Sequence, residues 1–321
     1  MRAALIFALF FCSQITAFAQ PVPAAEENIP FLVTFGSDAE LSWGDDDHCQ
    51  VFFFTLPKDY KQAFFLRVFD PECGGLNDEL NEEFNTITKF SVFGGEGCIS
   101  AAQARDPDPV GNFKSGNLLA SKTFAQNEMY DNNWYTFGPF NPAEGEYEEK
   151  YGGYVFKLIA EGLKGDDGNL YRYFMSAEAE KNIEVPGGNA FTFEYSFRLH
   201  DDKSQTSHVY PYIDNQVLSL MQYNFDWDND GFIKVFSVAT MASNLKVSKD
   251  KEWAISEYKI LEEERGTSLD IQFKSVPGNN VHNNNVVFYI TNQYGEFLPF
   301  FTVPIGGVPM FKGKAKITAI D

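Results

Sequence analysis

Apolar residues in this chain fall in short runs, each bounded by Gly, Pro, Asn or Asp. Residues 31–35, 51–56, 63–69, 88–93, 154–160 and 170–175 form one series. Residues 190–199, 209–213, 232–238, 268–273, 285–291 and 297–303 form a second. Several alternate with polar residues. In Phe191-Thr192-Phe193-Glu194-Tyr195-Ser196-Phe197 the alternation predicts one strand with its aromatics on a single face. Only residues 257–265 read as helical, for one or two turns. Many short strands with turn residues between them predict an all-β protein of sandwich type. The 33 phenylalanines and 15 tyrosines favour the same class.

The segments divide into two jelly-roll-like β-sandwich domains, residues 29–176 and 189–321. The linker, residues 177–188, carries Glu178, Glu180 and Lys181 before Pro186-Gly187-Gly188. Gly165-Asp166-Asp167-Gly168-Asn169 reads as a hairpin turn, and residues 313–321 as a last strand. Ahead of the domains, Met1-Arg2, an apolar stretch over residues 3–12 and Ala17-Phe18-Ala19 have the layout of a signal peptide, residues 1–19, cut before Gln20. The chain is therefore expected to be exported by a bacterium: secreted, periplasmic or on the outer cell surface. No later run is long and apolar enough for a membrane span. Acidic residues number 45 against 25 basic ones. That surface repels phosphate backbones and anionic lipid, and excludes nucleic acid as a main partner.

Removal of the signal takes Cys12 and leaves Cys49, Cys73 and Cys98. An oxidising compartment allows one disulfide among them. Cys73 and Cys98 each lie in a glycine-bearing loop, and their pairing is the one expected. Such a bridge would close a roughly 25-residue loop, worth about 3 kcal/mol in the chain-entropy model. Cys49 then serves as a small apolar residue at a strand start.

Three stretches of the first half carry a resemblance. They are Asp47-His48-Cys49-Gln50-Val51-Phe52-Phe53-Phe54, Phe65-Leu66-Arg67-Val68-Phe69-Asp70-Pro71 and Tyr154-Val155-Phe156-Lys157-Leu158. A polar lead-in to a strand, and a strand ending in Asp-Pro, resemble the small β-sandwich modules of the pre-peptidase C-terminal kind that are appended to exported bacterial proteins. The likeness covers less than half of the chain. It implies a jelly-roll-like accessory module with no catalysis of its own.

The sharpest chemical motif is Asp226-Trp227-Asp228-Asn229-Asp230-Gly231. Carboxylates at alternate positions before a turn glycine suit a hard cation, with calcium the expected one. In an EF-hand register Asp226, Asp228 and Asp230 are side-chain ligands and Phe232 gives its carbonyl. Position nine is Lys234 and position twelve is Ser237, so a bidentate acid must come from elsewhere, with Glu262, Glu263 or Glu264 as candidates. The same residues also suit an Asx-rich turn between strands. A second acidic stretch, residues 70–83, holds six acids in fourteen positions. Asp70, Asp78 and Glu79 are its expected calcium ligands, because crowded carboxylates raise one another's pKa unless a cation intervenes. Its alternative is a solvated loop. Asp45-Asp46-Asp47-His48 is a weaker motif. The remaining histidines, His200, His208 and His282, form no zinc spacing with it.

Nucleophile elbows and phosphate-cradling loops are missing from the sequence. Trp134, within Tyr130-Asp131-Asn132-Asn133-Trp134-Tyr135, has the composition of a sugar platform, as has Trp227. Tyr223, Phe225 and Trp227 alternate and should share one face. Trp227, Trp134 and Tyr223 are thus the expected ligand-binding residues. The leading expectation is an exported, non-catalytic module, stiffened by calcium, that binds carbohydrate or an envelope protein. The alternatives are a β-architecture glycoside hydrolase or lyase with paired carboxylates, and a purely structural envelope protein.

Overall fold

The computed structural model describes residues 21–44, 46–106, 111–228, 230–276 and 284–313. The expected signal peptide with Cys12, Asp45, Asn229, His282 and the last strand beyond Gly313 lie outside the described residues.

The chain is all-β, in antiparallel sheets. The nine-stranded sheet runs, in spatial order, Trp253–Lys259, Ser219–Phe225, Asn285–Asn292, Glu194–Arg198, Phe31–Phe35, Gly168–Ser176, Phe64–Phe69 and Trp134–Phe140, with Pro21–Val22 beside Gly168–Ser176. The seven-stranded sheet runs Phe300–Phe301, Asn189–Thr192, Cys49–Pro57, Gly153–Lys164, Ile87–Gly94 and Asn117–Phe124, with Glu146–Glu148 beside Gly153–Lys164. A four-stranded sheet holds Ser207–Val209, Asp270–Ser275, Gly231–Phe236 and Ser243–Leu245. A two-stranded sheet pairs Tyr212–Ile213 with Thr267–Ser268. Among the described residues no helix is long and apolar enough to cross a membrane.

Alternation gives the nine-stranded sheet an inner aromatic face. Phe52 of the seven-stranded sheet meets Tyr173 and Tyr195 edge-on at 5.7 and 5.3 Å. Farther along, Phe197 and Phe288 meet Phe273 of the four-stranded sheet at 5.2 and 5.1 Å. One large sheet is thus covered by two smaller ones, and each such ring pair adds about 0.5–1.5 kcal/mol beyond its burial. Residues 177–188 mark no break between sheets. Asn189–Thr192 pairs with Cys49–Pro57, and Glu194–Arg198 pairs with Phe31–Phe35, so both large sheets mix strands from either side of that segment.

Polar groups are built into this core. Glu27 is fully buried. Its Oε1 accepts the Tyr195 hydroxyl at 2.6 Å and its Oε2 the Ala24 amide at 2.6 Å. Burial pushes its pKa up to about 8. The buried Lys157 ammonium donates to the Phe113 and Ser115 carbonyls at 2.5 and 2.9 Å, and burial pulls its pKa down to about 8.

Three local expectations are corrected. Residues 190–199 are not one strand: the chain leaves the seven-stranded sheet at Thr192 and enters the nine-stranded sheet at Glu194. The Thr192 hydroxyl sits at this crossing, 2.6 Å from the carbonyl oxygens of both Val51 and Glu194, with its single proton available to one of them. Phe191 and Phe193 therefore pack in a satellite cluster, while Tyr195 and Phe197 join the main core. The glycine-rich turn at 165–169 is an arch between two sheets rather than a hairpin, since Gly153–Lys164 and Gly168–Ser176 lie in different sheets. Within residues 257–265 the chain is strand through Lys259, with buried Tyr258 between exposed Glu257 and Lys259, and a single 3-10 turn follows at Glu262–Glu264.

Candidate metal and ligand sites

Asp226 and Asp228 follow strand Ser219–Phe225, second from the edge of the nine-stranded sheet, and Asp230 precedes strand Gly231–Phe236 of the four-stranded sheet. Asp226 and Asp228 take left-handed backbones, φ 52° and 43°, and Lys251 opposite them takes φ 56°. The turn brings carboxylate oxygens of Asp226, Asp228 and Asp250 within 4.8 Å of one another. Asp226 is 1% exposed. Its Oδ1 accepts the Lys251 amide at 2.5 Å, whereas its Oδ2 is buried without a hydrogen bond. Burial, then the charges of Asp228 and Asp250, push the Asp226 pKa up to about 7 against the pull of the Lys251 amide. A buried carboxylate oxygen with no donor, facing two more acids, is electrostatically incomplete without a cation.

The ligand set differs from the EF-hand register. Asp230 is buried beyond the group, and its carbonyl accepts the Val276 amide at 2.6 Å. Phe232 sits within strand Gly231–Phe236, opposite Lys274. The chain becomes strand at Gly231, so it cannot wrap its later residues around the ion. Asp250 is the third carboxylate, brought in because Trp253–Lys259 pairs with Ser219–Phe225. Glu264 is occupied elsewhere: it accepts Ser237 and Tyr258 hydroxyls at 2.5 and 2.7 Å. Sequence reading missed Asp250, whose only local sign is an acid in the polar turn Ser248-Lys249-Asp250-Lys251.

Trp227 is no sugar platform. The left-handed turn at Asp226 rotates it out of the Tyr223–Phe225 alternation and into the core, where it is 1% exposed and its ring lies 5.7 Å from Phe273. Gly231 is required there, because a Cβ would sit 2.7 Å from the indole.

Asp70, Glu72 and Asp78 form a second group within 4.8 Å, all buried. Burial raises the pKa of each. Backbone amides hold them: Asn132 on Asp70 at 2.9 Å, Asn127 on Glu72 at 2.5 Å, and Gly74 and Leu170 on Asp78 at 2.7 and 2.6 Å. Glu72 takes the place expected for Glu79, which instead forms an ion pair with Arg198 and accepts Asn285 Nδ2 at 3.0 Å. A third group joins Asp46 and Asp47 to Glu194, without His48.

The expected Cys73–Cys98 disulfide is not formed. Cys49, Cys73 and Cys98 are all free and buried. Cys98 packs with Cys49, Phe93 and Ile159, while Cys73 is enclosed among Asp78, Asp167, Glu72 and Asp70. The two glycine-bearing loops fold back onto different neighbours.

Tyr223 lies on the outer face of the nine-stranded sheet, stacked on Tyr289 at 4.5 Å and 14°. Trp253 meets Tyr289 at 5.3 Å and Phe225 at 5.1 Å. Trp253 and Ile255 are 37% and 42% exposed. This aromatic tier abuts the Asp226 group, since Phe225 and Asp226 are consecutive and the Asp226 amide donates to the Glu252 carbonyl. Trp134 stands at the opposite edge of the sheet, its ring covered by the Arg67 guanidinium at 5.1 Å and packed on Phe69 at 5.3 Å. No family model, curated protein or solved structure matches the chain.

Proposed function

We propose that this chain is an exported, non-catalytic binding module that presents the Tyr223–Tyr289–Trp253 tier to carbohydrate and uses calcium to stiffen the loop beside it. One observation carries this reading: Asp226, Asp228 and Asp250 converge beside the exposed tier, with Asp226 Oδ2 buried and bare. A cation there would neutralise the acids and fix residues 226–230 against 249–252, which hold Phe225 and Trp253 in place. Rigid, half-exposed aromatic rings suit the apolar faces of sugar rings, and fixing them beforehand lowers the entropic cost of binding. Export rests on the signal-like first 19 residues, and the accessory role on the likeness to pre-peptidase C-terminal modules.

The test is retention on insoluble cellulose and chitin, with calcium and with chelator, for the wild type and Tyr223→Ala. The tier is half-exposed, so the substitution should leave the fold intact and remove retention. Retention by wild type that survives Tyr223→Ala, or none on either polymer, would overturn the carbohydrate reading.

A further inference from the structure

After strand Asn285–Asn292 the chain turns back, so that Phe297 bridges Thr291. This turn borders a cavity of about 280 Å³, at the small end of ligand sites. The 3-10 turn Ala102–Arg105 and Lys150 contribute the rest of its charged wall. Phe297 lines the cavity and meets Tyr289 of the aromatic tier at 5.7 Å. The cavity therefore adjoins the rings already assigned to carbohydrate.

Charges of both signs line this cavity, and they do not meet. Arg105 and Lys150 rest against Tyr151: the Tyr151 hydroxyl accepts from the Arg105 guanidinium, and Lys150 Nζ lies 5.7 Å from the ring centroid. Arg105 Nε is buried without a hydrogen bond. Among the described residues neither cation forms an ion pair, although Asp106, Asp214 and Glu296 line the same cavity. Two of these acids are fixed by the protein. Asp214 Oδ1 accepts the Gln216 amide at 2.8 Å, and Glu296 Oε2 accepts Asn292 Nδ2 at 2.7 Å. Each keeps lone pairs for a further donor. A ligand with one carboxylate for the cations and several hydroxyls for the acids satisfies both sides, and a uronate sugar has that pattern. A neutral sugar leaves the guanidinium without an anion. A densely charged polyanion is repelled, because three acids face two cations on a chain of net charge −20.

We infer that this cavity binds a uronate unit of a carbohydrate whose neighbouring units lie on the Tyr223–Tyr289–Trp253 tier. The uronate carboxylate accepts from Arg105 and Lys150, and its ring hydroxyls donate to Asp214 and Glu296. The inference names the class of carbohydrate and rests on the carbohydrate reading of the tier.

Isothermal titration of the purified protein at fixed calcium tests it, with trigalacturonate and its trimethyl ester as probes. The two differ in carboxylate charge and share their ring hydroxyls. The acid should bind roughly tenfold tighter than the ester, through its charge-assisted contacts. Arg105→Gln/Lys150→Gln should erase that difference, and Lys150→Gln alone, at an exposed position that the fold tolerates, should reduce it. Lys89→Gln/Lys164→Gln removes two lysines at the end of strand Gly153–Lys164 remote from Lys150, and should keep the difference. Ester binding reports the tier by itself. If the ester does not bind while the acid binds through Arg105 and Lys150, the reading of the tier fails and the cavity assignment stands. Equal affinity for acid and ester, or no binding of the acid, overturns the inference. So does a difference that survives Arg105→Gln/Lys150→Gln, or one lost equally in Lys89→Gln/Lys164→Gln, which would reduce the effect to overall charge.

Discussion

Asp226→Asn separates the charge of the buried carboxylate from its shape. In the fold Asp226 is pushed up to about 7 from 3.8. The protonated form is thus favoured in the folded chain, and the calcium-free protein loses stability as pH rises from about 4 to about 7. At roughly 1.4 kcal/mol per tenfold difference in proton affinity, ionised Asp226 costs the calcium-free fold on the order of 4 kcal/mol at pH 8, and about half that at pH 5. Asparagine carries no charge and keeps an oxygen for the Lys251 amide. In chelator the variant should therefore melt above wild type, by roughly 6 °C at pH 8 and by less at pH 5. Calcium should narrow this gap at pH 8 and reverse the order at pH 5. A ligand bound only to the folded state adds about 2.7 kcal/mol at a hundredfold excess over its Kd, and the variant, short of one ligand, should lose most of that gain. Thermal unfolding followed by circular dichroism, at both pH values and with calcium or chelator, reads all of this. A variant that melts below wild type in chelator at pH 8, or that keeps the full calcium shift, would refute the reasoning.

Two further predictions concern the core. Glu27, buried and raised to about 8 from 4.5, stabilises the fold most when protonated, so wild-type stability should fall as pH rises through that interval. Glu27→Gln should flatten this part of a urea-unfolding series, and an unchanged slope would contradict it. Glu146 binds residues 97–100 by accepting the Gly97, Ile99 and Ser100 amides at 3.0, 2.7 and 3.1 Å. Burial raises its pKa, but these donors outweigh it and hold the carboxyl below its ordinary value. Its contribution is therefore present at neutral pH and lost as pH falls through that depressed value. Glu146→Ala should cost on the order of 3 kcal/mol at pH 7 and expose the Ile99 amide to hydrogen exchange. Wild-type protection of that amide in the variant would show that the loop is held by other contacts.

Strand positions were legible in the sequence because a strand's side-chain period is local. Val51, Phe53 and Thr55, or Tyr171 and Tyr173, announce a pleated, partly buried segment with no knowledge of the partner. The acid-rich turns were legible too, and Asp226 with Asp228, and Asp70 with Asp78, are each brought together. Sheet membership was not. Alternation across residues 191–197 is the same whether the chain stays in one sheet or crosses to another, and only the pairing of Phe191 with Phe53 and of Tyr195 with Phe288 decides it. The candidate cation site shows the same division. The sequence set Asp226 and Asp228 two residues apart, but Asp250 arrives through pairing between strands, and Glu79 leaves its cluster for an arginine more than a hundred residues away. One left-handed residue, Asp226, sends Trp227 into the core while Tyr223 stays on the surface. Periodicity and composition act over a few residues, and they fixed the class and the local elements. Ligand sets, thiol neighbours and exposed faces depend on contacts distant in sequence, and the tertiary structure decided those.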